Sequence, residues 1–322
     1  MGIPSPARIY GTYALLTLIW GTTWAVIRIG LRGLPPFTGV ALRFGIAALL
    51  LLVLSPLLRV HFLKTRAERW LWATNALLGF SIPYAVTYWS EQWVPSGLAA
   101  VLFATFPLFV AVLAHLFLPA ERLNGGRFMG ILLGFAGVAV IFSEDFSVLG
   151  GPEAVIASVV MLASPLSAAA ANVFIKKWGE GIHPVSLTVI PMGLTAGMIG
   201  FLALATERDA PMIFDASSVA ALLYLAVFGS AVTFTLYYWL LQHMPATRHS
   251  LVAYTIPVVA VAVGSIFLDE PITLRMISGS ILVIAGVALA GYRRKTAVES
   301  GPAAGRERLD PGRELRGSKE GS

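Results

Sequence analysis

The chain of 322 residues contains no cysteine, which excludes disulfide bonds and thiolate chemistry. Charged residues are scarce as well: they make up 12% of the chain, whereas a soluble globular protein carries about 25%. The sequence has no P-loop, no His-Glu-x-x-His and no Gly-x-Ser-x-Gly motif, and its acidic residues follow no metal-ligand spacing. We therefore predict that the protein is not an enzyme and holds no cofactor and no metal.

Apolar residues, by contrast, make up 57% of the chain and lie in long runs between short polar breaks. A helix needs roughly 20 apolar residues to cross the hydrocarbon core of a bilayer. The runs are continuously apolar rather than alternating, which favours helices over a β-barrel. We predict an all-α polytopic membrane protein with ten transmembrane helices. The ten runs are 9–30, 37–58, 70–89, 95–118, 127–142, 153–174, 184–206, 217–241, 247–268 and 273–292.

Basic residues between the runs predict the orientation, because Lys and Arg concentrate in cytoplasmic connections. With the N-terminus inside, the inner connections carry nine basic residues and the outer ones four, so both termini are predicted to be cytoplasmic. The inner set is Arg59, Lys64, Arg66, Arg69, Arg122, Arg127, Lys176, Lys177 and Arg248, and the outer set is Arg28, Arg32, Arg208 and Arg275. The protein is accordingly expected to be a multi-pass protein of the cell membrane.

The second half of the chain repeats the first at an offset near 150 residues. At that offset, identical residues align without a gap from Gly79/Gly229 to Pro107/Pro257, and they include Tyr88/Tyr238. We predict two repeats, 9–143 and 152–292, each with five transmembrane helices. Residues 1–8 form a cytoplasmic N-terminus and residues 293–322 a disordered basic tail. Because five is odd, the repeats enter the membrane in opposite directions, and such inverted repeats are typical of alternating-access transport.

Short motifs follow one another along the first half, and some of them recur in the same order in the second half. They are Trp20-Gly21, Pro36, Leu42-Arg43-Phe44, Tyr88-Trp89, Pro95, Ala99-Ala100, Pro107, Glu121-Arg122-Leu123, Gly130 and Gly137, followed by Tyr238-Trp239, Pro257, Leu268-Asp269-Glu270-Pro271, Gly279 and Gly286. In these motifs the sequence resembles the drug/metabolite transporter superfamily, and within it the EamA-type branch. The resemblance covers about residues 10–292. It implies a ten-helix carrier that moves small organic solutes, often as an exporter, and it implies no particular substrate.

Polar and aromatic residues inside the apolar runs are the candidates for a substrate cavity. Arg43 is either a cavity cation for an anionic group or a structural arginine bonded to helix-end carbonyls. Asn75 and Asn172 either contact substrate or join helices by hydrogen bonds. The full candidate set is Trp20, Trp24, Arg43, Asn75, Tyr84, Tyr88, Thr105, Asn172, Tyr237 and Tyr254. Pro107 and Pro257, which are repeat mates, are predicted to kink their helices.

These features favour a secondary transporter that exports small organic metabolites, such as amino acids, their derivatives or drugs, by alternating access. The alternative is a polytopic membrane protein that does not transport, such as a lipid-handling enzyme or a sensor. The expected partners are a small-molecule substrate and membrane lipid, and no nucleic acid. Glycines spaced four apart, Gly126, Gly130 and Gly134, indicate a close packing seam, either between helices of the chain or in a homodimer.

Overall fold

The computed structural model describes residues 5–62, 65–119, 125–142, 151–249, 252–253 and 256–291. Within these ranges all regular structure is helical. The predicted tail, 293–322, and the cavity candidate Tyr254 lie outside the described residues.

Fifteen α-helices account for the bundle in the described ranges. They are α1 (Pro6–Gly30), α2 (Pro36–Leu54), α3 (Arg66–Thr74), α4 (Ile82–Ser90), α5 (Ser96–Phe103), α6 (Phe106–Phe117), α7 (Gly125–Phe142), α8 (Pro152–Met161), α9 (Ala163–Trp178), α10 (Ser186–Thr206), α11 (Ala216–Ala226), α12 (Thr233–His243), α13 (Ala246–His249), α14 (Ile256–Leu268) and α15 (Leu274–Gly291). Two π-helical segments, Asn75–Ser81 and Val227–Val232, join α3 to α4 and α11 to α12.

Six helical stretches are long and apolar enough to cross a membrane, judged by length and composition. They are Ala7–Gly30, Pro36–Leu54, Ser96–Phe117, Pro152–Trp178, Ser186–Thr206 and Ala216–His243. Shorter apolar helices occur at Phe128–Gly137, Val259–Leu268 and Leu274–Gly286. The chain is therefore a multi-pass helical membrane protein, and the count of ten spans stays a prediction.

Two of the predicted continuous runs are divided where a proline follows. Helix α5 ends at Phe103 and α8 ends at Met161, in each case four residues before a proline, Pro107 or Pro165. Proline has no N–H to donate to the carbonyl four residues earlier, so the regular helix ends there. Pro107 lies at the start of α6, and Pro257 is the second residue of α14.

Carboxylates from distant connections cap two helix N-termini. Glu207 accepts from the backbone N–H groups of Phe37 and Thr38, at 2.8 and 2.7 Å, at the start of α2. Glu270 accepts from the N–H groups of Ser96 and Gly97, at 2.8 and 3.1 Å, at the start of α5. The first N–H groups of a helix have no partner within it and favour negative charge. Each glutamate therefore links the connection that carries it to the N-terminus of a helix that is distant in the chain.

The glycine-rich faces of α7 and α15 pack against each other within the chain. A Cβ added at Gly137 would come 2.6 Å from the carbonyl oxygen of Gly279 and 2.6 Å from the backbone nitrogen of Val283. A Cβ added at Gly286 would meet the backbone of Gly130 and Gly134. The glycines thus form a seam between helices of one chain, and the homodimer stays an untested prediction.

We expect Gly137→Ala to lower the thermal unfolding temperature of the purified protein in detergent. The new methyl group would press on backbone atoms, which cannot rotate away, and such overpacking costs about 1–3 kcal/mol. Gly197→Ala is the control, because a Cβ at Gly197 in α10 meets no atom within 4 Å. Equal unfolding temperatures for the two variants would show that the α7–α15 contact is not close-packed.

Candidate functional site

A cavity of about 100 Å³ lies at the centre of the bundle, enough for several water molecules. Residues from α1, α2, α4, α5, α6, α9, α12 and α14 line it, together with the π-helical segment before α4. Seven of the ten sequence candidates are among them: Trp20, Trp24, Arg43, Asn75, Tyr84, Asn172 and Tyr237. The apolar runs therefore bring their polar and aromatic residues to one place.

The Arg43 guanidinium is 1% exposed and holds three helical segments together. Its Nε donates to the Ser230 hydroxyl at 2.7 Å and its Nη2 to the Gly229 carbonyl at 2.8 Å, both in the second π-helical segment. Its Nη1 donates to the Tyr88 hydroxyl at 3.2 Å on α4. Among the described residues no carboxylate forms an ion pair with it. Arg43 is thus a structural clamp that also presents an unpaired positive charge to the cavity wall.

Aromatic rings form the apolar part of that wall. Trp20 packs against Phe234 and Tyr237, with ring centroids 5.4 and 5.2 Å apart. Tyr84 lies with its ring 4.7 Å from the Arg43 guanidinium carbon, a cation–π distance. One turn further along α1, Trp24 packs on Phe103 with ring centroids 5.6 Å apart. The rings give broad apolar contact, while Arg43 supplies charge at their edge.

Asn75 uses its polar atoms to join three helical elements. Its Nδ2 donates to the Leu187 carbonyl at 2.9 Å and to the Tyr238 hydroxyl at 2.8 Å. The Tyr238 hydroxyl donates in return to Asn75 Oδ1 at 3.0 Å. A Cβ at Gly79 would collide with Asn75 Oδ1, so glycine is needed one turn further along. Asn75 therefore joins helices, which was one of the two roles that its sequence position left open.

Asn172 and Trp20 differ from Asn75, because each keeps a polar atom without a partner. Asn172 donates through Nδ2 to the Tyr237 hydroxyl at 2.6 Å, but its Oδ1 is buried and accepts no hydrogen bond. Trp20 Nε1 is buried and donates none. Buried polar groups are almost always hydrogen-bonded, and each exception needs an explanation. Both residues line the cavity, which has room for several water molecules, so water or a bound solute can supply the missing partner.

The remaining sequence candidates lie elsewhere. Tyr88 is 3% exposed and contacts Arg43, but it is not among the residues that line the cavity. Thr105 is fully buried and donates to the Leu102 carbonyl at 2.7 Å, so its hydroxyl is used within its own span. Tyr254 falls outside the described residues.

Sequence reasoning missed several lining residues. Phe234 and Tyr238 lie on α12, and nothing in the sequence separates them from aromatic residues that anchor a helix at the membrane interface. Thr23, Thr87 and Ser164 are small and polar, and nothing in the sequence separates them from ordinary helix-packing residues. The residues that align with them in the other half follow no recognisable pattern. Only the three-dimensional structure shows that these three side chains line the cavity.

Comparison with known proteins agrees with this architecture. The sequence model of the EamA-like transporter family matches residues 9–143 and again 155–292. The "Uncharacterized transporter YvbV" of Bacillus subtilis is 29% identical over 286 residues, 88% of this chain and 91% of its own length. The "Uncharacterized inner membrane transporter YedA" of Escherichia coli K12 is 32% identical, over 80% of this chain and 82% of its own.

Two further matches are a relative whose name states a function and a solved structure. The "Probable amino-acid metabolite efflux pump" of Escherichia coli K12 is 27% identical over 312 residues, 92% of this chain and 99% of its own. One solved crystal structure superimposes with a TM-score of 0.67 at 19% identity, covering 89% of this chain and 97% of that chain. At that identity the likeness concerns the fold alone.

Apolar helices around a buried polar and aromatic cavity define a multi-pass membrane protein of the transporter class. The chain belongs to the EamA-like transporter family, which agrees with its resemblance to the drug/metabolite transporter superfamily. It is a membrane transporter, and its family implies a small-molecule substrate and a lipid environment.

We expect Arg43→Lys to reduce stability markedly. A lysine ammonium cannot reproduce the planar fork that binds Ser230, Gly229 and Tyr88 at once, and each lost bond to a charged group is worth about 1.5–3 kcal/mol. The readout is the thermal unfolding temperature in detergent. Arg32→Lys serves as the control because Arg32 is exposed. If both variants unfold at the wild-type temperature, the three bonds do not support the fold.

Proposed function

We propose that the protein is a secondary transporter that exports small organic metabolites by alternating access between two inverted five-helix repeats. The observation that carries the proposal is the central cavity, whose wall holds a buried donor, Trp20 Nε1, and a buried acceptor, Asn172 Oδ1, both without partners. The N-terminus is cytoplasmic in this proposal, so Arg28 and Glu91 lie at the outer end of the bundle.

Matched contacts in the two halves support the repeat. Arg28 Nη1 donates to the carbonyls of Glu91 and Val94, at 2.9 and 2.7 Å. Lys176 Nζ donates to the carbonyls of Leu241 and Met244, at 3.0 and 2.9 Å. The acceptors are 150 residues apart in the chain, and the donors 148 residues apart. The two π-helical segments also correspond at an offset near 150, and the family model matches the chain twice.

Helix pairings repeat in the same manner. The first span of each half packs on the fourth span of the other half: α1 packs on α14, and α9 packs on α6. α2 packs on α10, and α7 on α15, so each of these spans meets its own repeat mate. Pairs of this kind are what a pseudo-twofold axis in the membrane plane would produce, and such axes are the basis of alternating access.

The wall favours a compact solute that carries both polar and apolar groups. Trp20 Nε1 requires an acceptor and Asn172 Oδ1 a donor, while Arg43 has five N–H groups and three named partners. A carboxylate could use the remaining N–H groups, and the aromatic rings suit an apolar side chain. Amino acids and their derivatives meet all three requirements, and one relative is named as an amino-acid metabolite efflux pump.

We expect Trp20→Phe to weaken transport without unfolding the protein. The variant keeps most of the ring contacts and loses only the indole N–H, a loss worth about 0.5–1.5 kcal/mol, or roughly a 2- to 10-fold rise in KM. Proteoliposomes preloaded with single amino acids would be assayed for counterflow of the same radiolabelled amino acid. The matched control is Trp239→Phe, because Trp239 packs near Arg8, 4.9 Å away, and does not line the cavity.

Absence of counterflow across a panel of amino acids, nucleosides, sugars and cationic drugs would contradict the transporter proposal. That result would favour the alternative, a membrane protein that does not transport, such as a lipid-handling enzyme or a sensor. Equal loss in Trp20→Phe and Trp239→Phe would instead contradict the assignment of the cavity while leaving transport intact.

Single-cysteine labelling in cells tests the orientation, and the natural chain gives no background because it has no cysteine. Asp209 and Glu180 are both exposed, in connections that the proposal places outside and inside. We expect a membrane-impermeant maleimide to label Asp209→Cys in intact cells and Glu180→Cys only after permeabilisation. The reverse pattern would mean that both termini face outward.

A further inference from the structure

Among the residues that the structure describes, one acidic side chain is buried with both carboxylate oxygens unpartnered. Glu91 follows the last residue of α4 and is 1% exposed. Neither of its carboxylate oxygens has a hydrogen-bond partner. The transport site described above does not use this residue, and the sequence motifs had not singled it out.

The charged groups around Glu91 are engaged elsewhere. Arg28 donates to the backbone carbonyls of Glu91 and Val94, and its Nε lies 3.9 Å from Glu270 Oε1, so its ion pair is with Glu270. Glu270 is itself occupied as the cap of α5. The positive charge of Arg43 on α2 attracts the Glu91 carboxylate, but the guanidinium is hydrogen-bonded to the second π-helical segment and to Tyr88.

The remaining elements near Glu91 add little charge. Tyr84 and Tyr88 are the titratable groups on its own helix. Helix α8 packs on α4, where the Ser90 hydroxyl donates to the Ala157 carbonyl at 3.0 Å. The titratable residue of α8 is Glu153, which is exposed. Helices α5 and α14 contain no titratable side chain in their described ranges.

An ionised carboxylate in this position would have lost its water and received no donor in return. That is among the most expensive arrangements in a protein, and it is relieved when the group takes up a proton. At the repeat offset of 150, Glu91 aligns with Leu241, which is 1% exposed and apolar. The second half therefore packs with an apolar residue at this position. The helix packing common to the two halves does not require an acid there.

A direct path joins Glu91 to the cavity. Arg43 lines the cavity and donates to the Tyr88 hydroxyl, and Tyr88 lies three residues before Glu91, which directly follows the end of α4. A solute carboxylate that uses the remaining N–H groups of Arg43 binds the same nitrogen, Nη1, that donates to Tyr88. Binding in the cavity can thus change how the end of α4 packs, and with it the exposure of Glu91.

We propose that Glu91 is a proton-binding site that couples substrate movement to protons. It holds one proton in the arrangement seen here, where its carboxyl is buried, and it releases that proton to water when the end of α4 opens. The carboxylate that remains is then stabilised by water and by Arg28. The inference rests on the proposed transport function, but proton binding by Glu91 can be tested without any substrate.

The first test measures the proton on the carboxyl directly. Infrared difference spectra of the full chain in lipid, recorded across a pH titration, should contain the C=O band of a protonated carboxyl at neutral pH. We expect Glu91→Gln to lose this band and Glu153→Gln to keep it, because Glu153 is exposed. Glutamine has the size of a protonated glutamic acid, so the variant should fold. A band that persists in Glu91→Gln would overturn the proposal whether or not the protein transports.

The second test measures coupling, with the amino acid that gives the largest wild-type counterflow as the probe. In wild-type proteoliposomes a pH gradient should drive accumulation of that amino acid above the level reached at equal pH. Glu91→Gln should lose this gradient-dependent part and retain counterflow at equal pH, while Glu153→Gln should behave as wild type. Undiminished gradient-driven accumulation in Glu91→Gln would exclude Glu91 as the coupling site. Absence of transport in the wild type would refute the proposed function separately, leaving the infrared result to stand.

Discussion

The hydrocarbon core of a membrane offers no water, so each polar group buried there must find its partner within the chain. This constraint explains most contacts of the bundle. Arg43 binds a hydroxyl, a carbonyl and a phenol from two other segments. Glu207 and Glu270 cap the first N–H groups of α2 and α5 from distant connections. These pairings join segments that are far apart in the chain and add to the packing of the apolar surfaces.

Some of the departures from this constraint lie where chemistry can happen. Trp20 Nε1 and Asn172 Oδ1 lack partners on the wall of the cavity, where a solute can supply them. Glu91 lacks partners at the end of α4, where a proton can neutralise it. Arg43 lies between the two places and touches Tyr88, which gives the cavity a mechanical connection to the acid.

Much of the candidate site could be predicted because polar residues in an apolar run are rare and costly. Arg43, Asn75 and Asn172 are conspicuous for that reason, and all three line the cavity. Thr105 is polar in the same way, but its hydroxyl is satisfied by a carbonyl of its own span, which a sequence cannot reveal. Glu91 escaped notice because it stands between a helix end and a proline, where a glutamate is usually solvated.

The membrane class and the positions of the apolar runs were determined by the sequence alone, because insertion depends on local composition over roughly 20 residues. The ends of α5 and α8 fall four residues before prolines, but Pro191 lies inside α10 without dividing it, so a proline alone does not determine where a helix ends. Only the tertiary structure could decide that Arg43 meets Ser230, 187 residues away, or that Glu91 is left without a partner. Contacts over such separations leave no local signal, since each depends on how the helices pack rather than on the residues beside it.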